Sequence, residues 1–254
     1  MAVHESSVNY RNLIRDLAEM YPHDVAEVIM VELVANALDA GATRISLDFD
    51  PQRKVLLVQD DGAGMTASQF DGYHDFAAGL KTRGDGIGFA GVGAKISFNI
   101  AERVVTETRS GGFTAGSNWY LESNKRLIWE DTQPVHLHGT GTRVEVQFNV
   151  NARVPYSSTN DLVSLIRRHY LPLLDPRFLG LYDSLGFYSK ELRFGVNGQL
   201  VSPEGADTWL SLSQVREFFP MKGDNRIGYG LLGLAPDEYP LGSDRCGVLL
   251  CTRG

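Results

Sequence analysis

Residues 25–39, VAEVIMVELVANALD, constrain this chain more than any other stretch. Wound as a helix at about 100° per residue, they put Glu32, Asn36 and Asp39, spaced i, i+4 and i+7, on one narrow arc. From Val28 onward every other position is apolar or small. A solvated helix face is wide and carries Lys or Arg, whereas this stripe is thin and holds a carboxylate, an amide and a carboxylate. The expectation is a helix buried nearly all round whose polar stripe faces something polar inside the protein. Asp24 stands where a cap starts such a helix, and Gly41 where a left-handed residue ends it.

The next stretch supplies a polar wall. Arg44 to Phe49 and Lys54 to Gln59 read as two strands around a turn containing Pro51, and the second runs straight into Asp60-Asp61-Gly62-Ala63-Gly64-Met65. A helix, a hairpin and a glycine turn therefore converge on a pocket. Upstream, residues 8–20 have helical spacing that Tyr21-Pro22 breaks. Downstream, residues 66–87 read as a short helix and then a polar, glycine-rich, mobile loop. Gly86, Gly88, Gly91 and Gly93 follow at the mouth of an apolar helix running through Ile96, Phe98 and Ile100. Glycines there let backbone N–H groups converge on an anion, with the positive end of a helix dipole behind them. Strands over 102–109, 118–123, 126–131 and 143–148, a helix over 161–171 and a strand over 192–196 complete the unit. There is no internal repeat.

Composition narrows the class. With 254 residues, 43% of them hydrophobic, the chain can bury a full core. No run approaches the roughly 20 apolar residues of a membrane span, and the first residues lack the order of a secretory signal. Cys246 and Cys251 lie in a strand-like run that points them to opposite faces, so they cannot pair there; reduced thiols and a cytoplasmic location are expected. The net charge of −7 leaves no electrostatic footprint for direct nucleic-acid contact. Arg167-Arg168-His169 is the one small basic candidate and reads as a solvated helix face. His136 and His138, read on one face of a strand, have no neighbouring carboxylate or thiol to build a metal site.

Two common phosphate motifs fail on inspection. A Walker loop needs lysine where Ala94 follows Gly93. A dinucleotide fingerprint needs a strand before Gly86-Ile87-Gly88-Phe89-Ala90-Gly91, where a loop stands. The glycines alone are also compatible with tight packing. Taken in order, four segments say more: Glu32-x-x-x-Asn36-x-x-Asp39, Asp60-x-Gly62-x-Gly64, Gly88-x-x-Gly91-x-Gly93 and Gly141-Thr142-x-Val144. Together they resemble the Bergerat-fold ATPases, the GHKL superfamily of gyrase B, the ninety-kilodalton heat-shock chaperone, histidine kinases and MutL-type mismatch-repair proteins. ELVANALDAGATRISLDFD and VQDDGAGM look especially like the chaperone, MutL and MORC branches. The resemblance covers about residues 8–200.

That resemblance implies a two-layer α/β sandwich of Bergerat type. Its sheet is mixed and mostly antiparallel with helices on one face, and ATP lies between the helix layer and a lid. Residues 1–201 would be the ATP-binding domain and residues 202–254 the start of a transducer-like second domain. The ending GVLLCTRG is read either as that of a chain cut from a longer protein or as that of a protein whose second domain is very small. By resemblance, Glu32 is the general base and Asn36 the magnesium ligand. Asp60 receives the adenine amine, Gly62 and Gly64 let the backbone pass the base, Met65 packs on the ring and Thr142 supports Asp60 through water. Gly88, Gly91, Val92 and Gly93 surround the phosphates. Lys95 either reaches the γ-phosphate or is a solvated residue of the first helical turn; Lys81 reads as solvated, Asp39 as structural, and Lys222 as a candidate transducer lysine.

The implied reaction is magnesium-dependent, slow hydrolysis of ATP to ADP and phosphate. ATP closes the lid and drives self-dimerisation, with other protein subunits as further partners. The presence of Glu32 favours hydrolysis over the phosphotransfer of histidine kinases. Two readings of other classes stand beside it: an ATP-gated binding module with negligible hydrolysis, and an interaction domain that has kept the fold but lost the ligand.

Overall fold

The computed structural model describes residues 7–76, 93–174, 178, 182, 192–202, 213–226 and 228–234. Helix α1, Tyr10–Ala18, starts on Asn9, whose side chain accepts from the Asn12 N–H. Helix α2, Val25–Asp39, starts on Asp24, whose carboxylate takes the Ala26 N–H at 2.9 Å. It ends as the sequence predicts, with Gly41 at φ +70°. Strands β1, Arg44–Asp50, and β2, Val55–Asp60, form an antiparallel hairpin. Helix α3, Ala67–His74, opens on a capping box in which Thr66 and Gln69 bond reciprocally.

The apolar helix expected through Ile100 is shorter than predicted. Helix α4 spans Gly93–Ile96 only, and one 3-10 turn, Ser97–Asn99, leads into β3, Ala101–Ser110. Strands β4, Phe113–Ser123, β5, Arg126–Thr132, and β6, Gly141–Phe148, follow. Helix α5, Thr159–Leu174, runs past the predicted Leu171 and kinks at Tyr170, where φ is −123°. The cause is readable: Pro172 has no N–H to give the preceding turn. Strands β7, Arg193–Val196, and β8, Gln199–Leu200, end the main unit.

The sheet order is β5-β4-β3-β6-β2-β1-β7-β8. Every pairing is antiparallel except β1 with β7, so the sheet is mixed and mostly antiparallel, the Bergerat-type arrangement predicted. Alternation sends Ile45, Leu47, Leu56, Val58, Val104, Val144, Val146 and Phe194 to one face, where they share a core with α2 and α5 residues such as Ile29, Met30, Leu33, Leu162 and Ile166. The opposite face is largely polar, with Arg103 bonded to Gln147 and Arg143 to Glu145.

Beyond residue 202, β9, Ser213–Phe218, pairs with β12, Gly230–Leu234, and β10, Met221–Lys222, with β11, Asn225–Arg226. Neither pair joins the main sheet. Among the described residues no helix is long and apolar enough to cross a membrane.

Candidate functional site at the ends of helix α2 and strand β2

Helix α2 is buried along most of its surface, and its polar stripe divides. Glu32 is 6% exposed, Asn36 is half-buried and Asp39 is exposed. Asp39 thus leaves the buried stripe, because it falls on the last turn of the helix. Glu32 Oε1 accepts from the Tyr21 hydroxyl at 3.2 Å.

Gly93, the first residue of α4, lies directly on Glu32. A Cβ built on it would stand 2.4 Å from Glu32 Cβ, 3.2 Å from Cγ and 3.3 Å from Oε2. The last glycine of the run and the acidic residue of the helix therefore meet. Since α4 is a single turn, little helix dipole backs this loop, contrary to the sequence expectation. Lys95 follows on α4 and is not solvated: it is 2% exposed, with Nζ 5.8 Å from the centre of the Phe76 ring. Burial pulls its pKa down to about 8, against the opposing charge of Asp75.

The second cluster lies where β2 and β3 end and β6 begins. Asp60 is buried, and its Oδ1 accepts the Gly62 N–H at 2.8 Å. Burial pushes its pKa up to about 6, while hydrogen bonds from the Gly62 and Thr142 N–H groups oppose the rise. Gly62 has no room for a side chain, since a Cβ would meet Ala40 and Asp60 within 2.9 Å. Gly64 combines φ +67° with the Arg109 carbonyl lying where a Cβ would be. Thr142 stands opposite Thr108 in the β3–β6 register. The buried Thr108 hydroxyl accepts the Met65 N–H at 2.8 Å and lies 3.3 Å from the Gly141 carbonyl. One hydroxyl thus ties the glycine turn to both strands, a role that nothing in the sequence distinguishes from that of an ordinary strand threonine.

Asp61 is the other residue that sequence reasoning passed over. Its carboxylate accepts the N–H groups of Thr43 and Arg44 at 2.7 and 2.8 Å, the Thr43 hydroxyl at 2.8 Å and Arg44 Nε at 3.1 Å. Partial burial pushes its pKa up, but these four bonds outweigh it and hold it at about 2. Asp61 anchors the loop; Asp60, its neighbour, turns its carboxyl to the Gly62 and Thr142 N–H groups instead.

Two sequence expectations are corrected. His136 and His138 lie in the loop 133–140, not on a strand. This loop is held by the buried Glu107, which accepts N–H bonds from Val135, His136 and Leu137. The basic run of α5 is solvated only at Arg168: Arg167 donates to the Ser202 carbonyl, and His169 Nε2 lies 2.7 Å from Glu27 Oε1. Lys222 is exposed in the β10–β11 pair. Gly88, Gly91, Val92 and Lys81 lie outside the described residues, as do Cys246 and Cys251. Among the described residues no group of three or more His, Cys, Asp or Glu is arranged to hold a metal on protein ligands alone.

Residues 23–141 match the family described as histidine kinase-, DNA gyrase B- and HSP90-like ATPases. Heat shock protein 90-5, chloroplastic, of Arabidopsis thaliana is 25% identical over 185 residues, covering 59% of this chain and 24% of the relative. DNA mismatch repair protein MutL of Rhodospirillum rubrum is 35% identical over 123 residues, 46% of this chain and 19% of the relative. Chaperone protein HtpG of Salinispora tropica is 27% identical over 141 residues, 41% of this chain and 22% of the relative. The matches thus span about a quarter or less of the length of these relatives.

Proposed function

From the match of residues 23–141 to that family, we propose that the chain carries a GHKL-type ATP-binding domain that binds ATP with magnesium and hydrolyses it slowly to ADP and phosphate. The observation that carries this reading is the seating of Gly93 on Glu32. It brings the end of the glycine run, the natural place for phosphates, against a buried carboxylate able to act as base.

The adenine end is assigned to the Asp60 cluster. With Gly62 and Thr142 N–H groups on its carboxyl, Asp60 still has acceptor capacity for the exocyclic amine of adenine. Gly62 and Gly64 bring backbone close to the base, Met65 covers it, and Thr108 holds the turn in place. At the other end, backbone N–H groups of the Gly88, Gly91, Val92 and Gly93 run receive the phosphates, and Lys95 adds a positive charge toward the γ-phosphate.

Asn36 fits magnesium by donor chemistry: an uncharged amide oxygen, one helical turn from a carboxylate, suits a hard cation already ligated by phosphate oxygens. When bound, the ion would neutralise phosphate charge. Glu32 aligns a water and takes its proton as the water oxygen attacks the γ-phosphorus and the bond to the β-phosphate oxygen breaks. Residues 1–201 form this ATP-binding domain, and residues 202–254 begin a transducer-like unit. ATP closes the lid over the phosphates and favours a dimer, so that hydrolysis times its release.

Phosphate release from Mg-ATP by wild type beside Glu32→Ala, with both run on a sizing column with and without nucleotide, tests the reading. Turnover by wild type alone, with an ATP-dependent dimer in the variant, is the expected result. Thermal stabilisation by Mg-ATP without phosphate release would make the chain a binding switch, and no stabilisation at millimolar nucleotide would remove ATP altogether.

A further inference from the structure

In the sequence Tyr21 reads only as half of a helix break. In the structure it lies between α1 and α2, and its N–H donates to the Ala18 carbonyl at 3.2 Å. Pro22 restricts the backbone of the residue before it on steric grounds. The half-buried phenol crosses to α2 and donates to Glu32 Oε1 at 3.2 Å. Burial, the Glu32 charge and this bond all raise the phenol's pKa above its ordinary value, so the group is a donor at every working pH. Glu32 Oε2 is the oxygen that lies toward Gly93.

We propose that Tyr21 is the positioning residue for Glu32: its hydroxyl occupies one carboxylate oxygen, leaves the other aimed toward the Gly93 side, and keeps the buried acid ionised. The physical need is plain. Glu32 is 6% exposed, so little water is left to solvate its carboxylate. A neutral acid cannot take a proton from water, and a donor hydrogen bond favours the charged form. The same bond restricts the rotation of the Glu32 carboxyl. This proposal rests on the reading of Glu32 as the base of ATP hydrolysis.

Among the described residues, charged groups near Glu32 come from α4 and from α2 itself. Lys95 is the charged residue of α4, which packs on α2. Glu27 is the other buried acid of α2, and it is engaged by His23, Arg168 and His169. None of these side chains is itself changed in Tyr21→Phe.

Tyr21→Phe keeps the ring and deletes the donor. Carbon-13 NMR of glutamate-labelled protein, with the Glu32 carboxyl assigned by its loss in Glu32→Gln, is the direct readout. The Glu32 titration midpoint is expected to rise by about one pH unit in Tyr21→Phe. In steady-state kinetics kcat should fall about tenfold at neutral pH with KM unchanged, and the acid limb of kcat should move to higher pH. An unchanged Glu32 midpoint overturns the proposal, whether or not turnover or thermal stability falls, because a merely structural tyrosine would give that result. If wild type itself fails to release phosphate, the hydrolase reading fails, and the NMR midpoint still decides whether Tyr21 governs Glu32.

Discussion

Gly93 and Glu32 are in contact through the place where a β-carbon would be: 2.4 Å separates that position on Gly93 from Glu32 Cβ. The glycine is needed there for clearance between two backbones as much as for any ligand. Gly93→Ala should therefore push α4 off α2, costing on the order of 2 kcal/mol in urea unfolding and abolishing phosphate release. A fully active, equally stable alanine variant would show that α4 and α2 have slack between them.

Asp60 carries a cost that its function would explain. Its folded pKa is raised from 3.8 to about 6, so the folded protein binds the proton more tightly than the unfolded chain, and stability falls as pH rises from about 4 through about 6. Asp60→Asn removes the charge and should stabilise the nucleotide-free protein at pH 7.5 by up to about 3 kcal/mol, with the gain fading near pH 4. The same variant should lose thermal stabilisation by ATP. Denaturant unfolding at the two pH values measures the first effect; a gain of equal size at both would show that ionisation is not its source.

Asp61 has the opposite sign. Its folded pKa, near 2, lies below its ordinary value of 3.8, so its contribution is present above about pH 4 and is lost as pH falls toward 2. Because the group is partly exposed, solvent screening trims that contribution. Asp61→Ala also removes four hydrogen bonds and should destabilise the fold by about 2 kcal/mol at neutral pH, with a smaller difference from wild type in acid. Parallel pH-stability curves for variant and wild type would contradict this.

His169 and Glu27 fasten α5 to α2. Burial lowers the His169 pKa, with Glu27 pulling against it. The unfolded chain then takes up the proton more readily, and stability is lost as pH falls through and below about 6.5. His169→Gln should flatten that part of the curve and cost about 1–2 kcal/mol at pH 7.5. Chemical denaturation between pH 5 and 8 checks both, and an unaltered slope would relieve His169 of the role.

Helix α2 was legible because a three-residue polar stripe on a greasy cylinder has few structural meanings. The Asp60 loop was legible because glycines that close to a carboxylate mark a turn. Asp61 was not, since its chemistry is the same as that of Asp60 and only the fold decides that one meets Thr43 and the other the Gly62 N–H. Thr108 is invisible for a related reason: a threonine in a strand is ordinary until its hydroxyl meets the Met65 N–H. Lys95 left two readings open in the sequence, and the packing of α4 on α2 rejects the solvated one. Glu27 and His169, separated by most of the domain, meet only because α5 folds back over α2, a contact that periodicity does not encode.

The parallel pairing of β1 with β7 has its own consequence for how the protein is made. Ile45 lies beside Phe194, and the Phe49 N–H is met by the Asn197 side chain at 2.8 Å. The hairpin that ends at Asp60 is synthesised early, yet one of its edges has no partner until the chain has grown past Val196. On the ribosome that edge would stand open throughout the synthesis of β3 to α5, offering unpaired N–H and C=O groups to any passing strand. Closing it is a long-range event of the kind that sets folding rates. A fragment ending soon after β6 would keep both clusters of the pocket but leave its edge permanently adhesive.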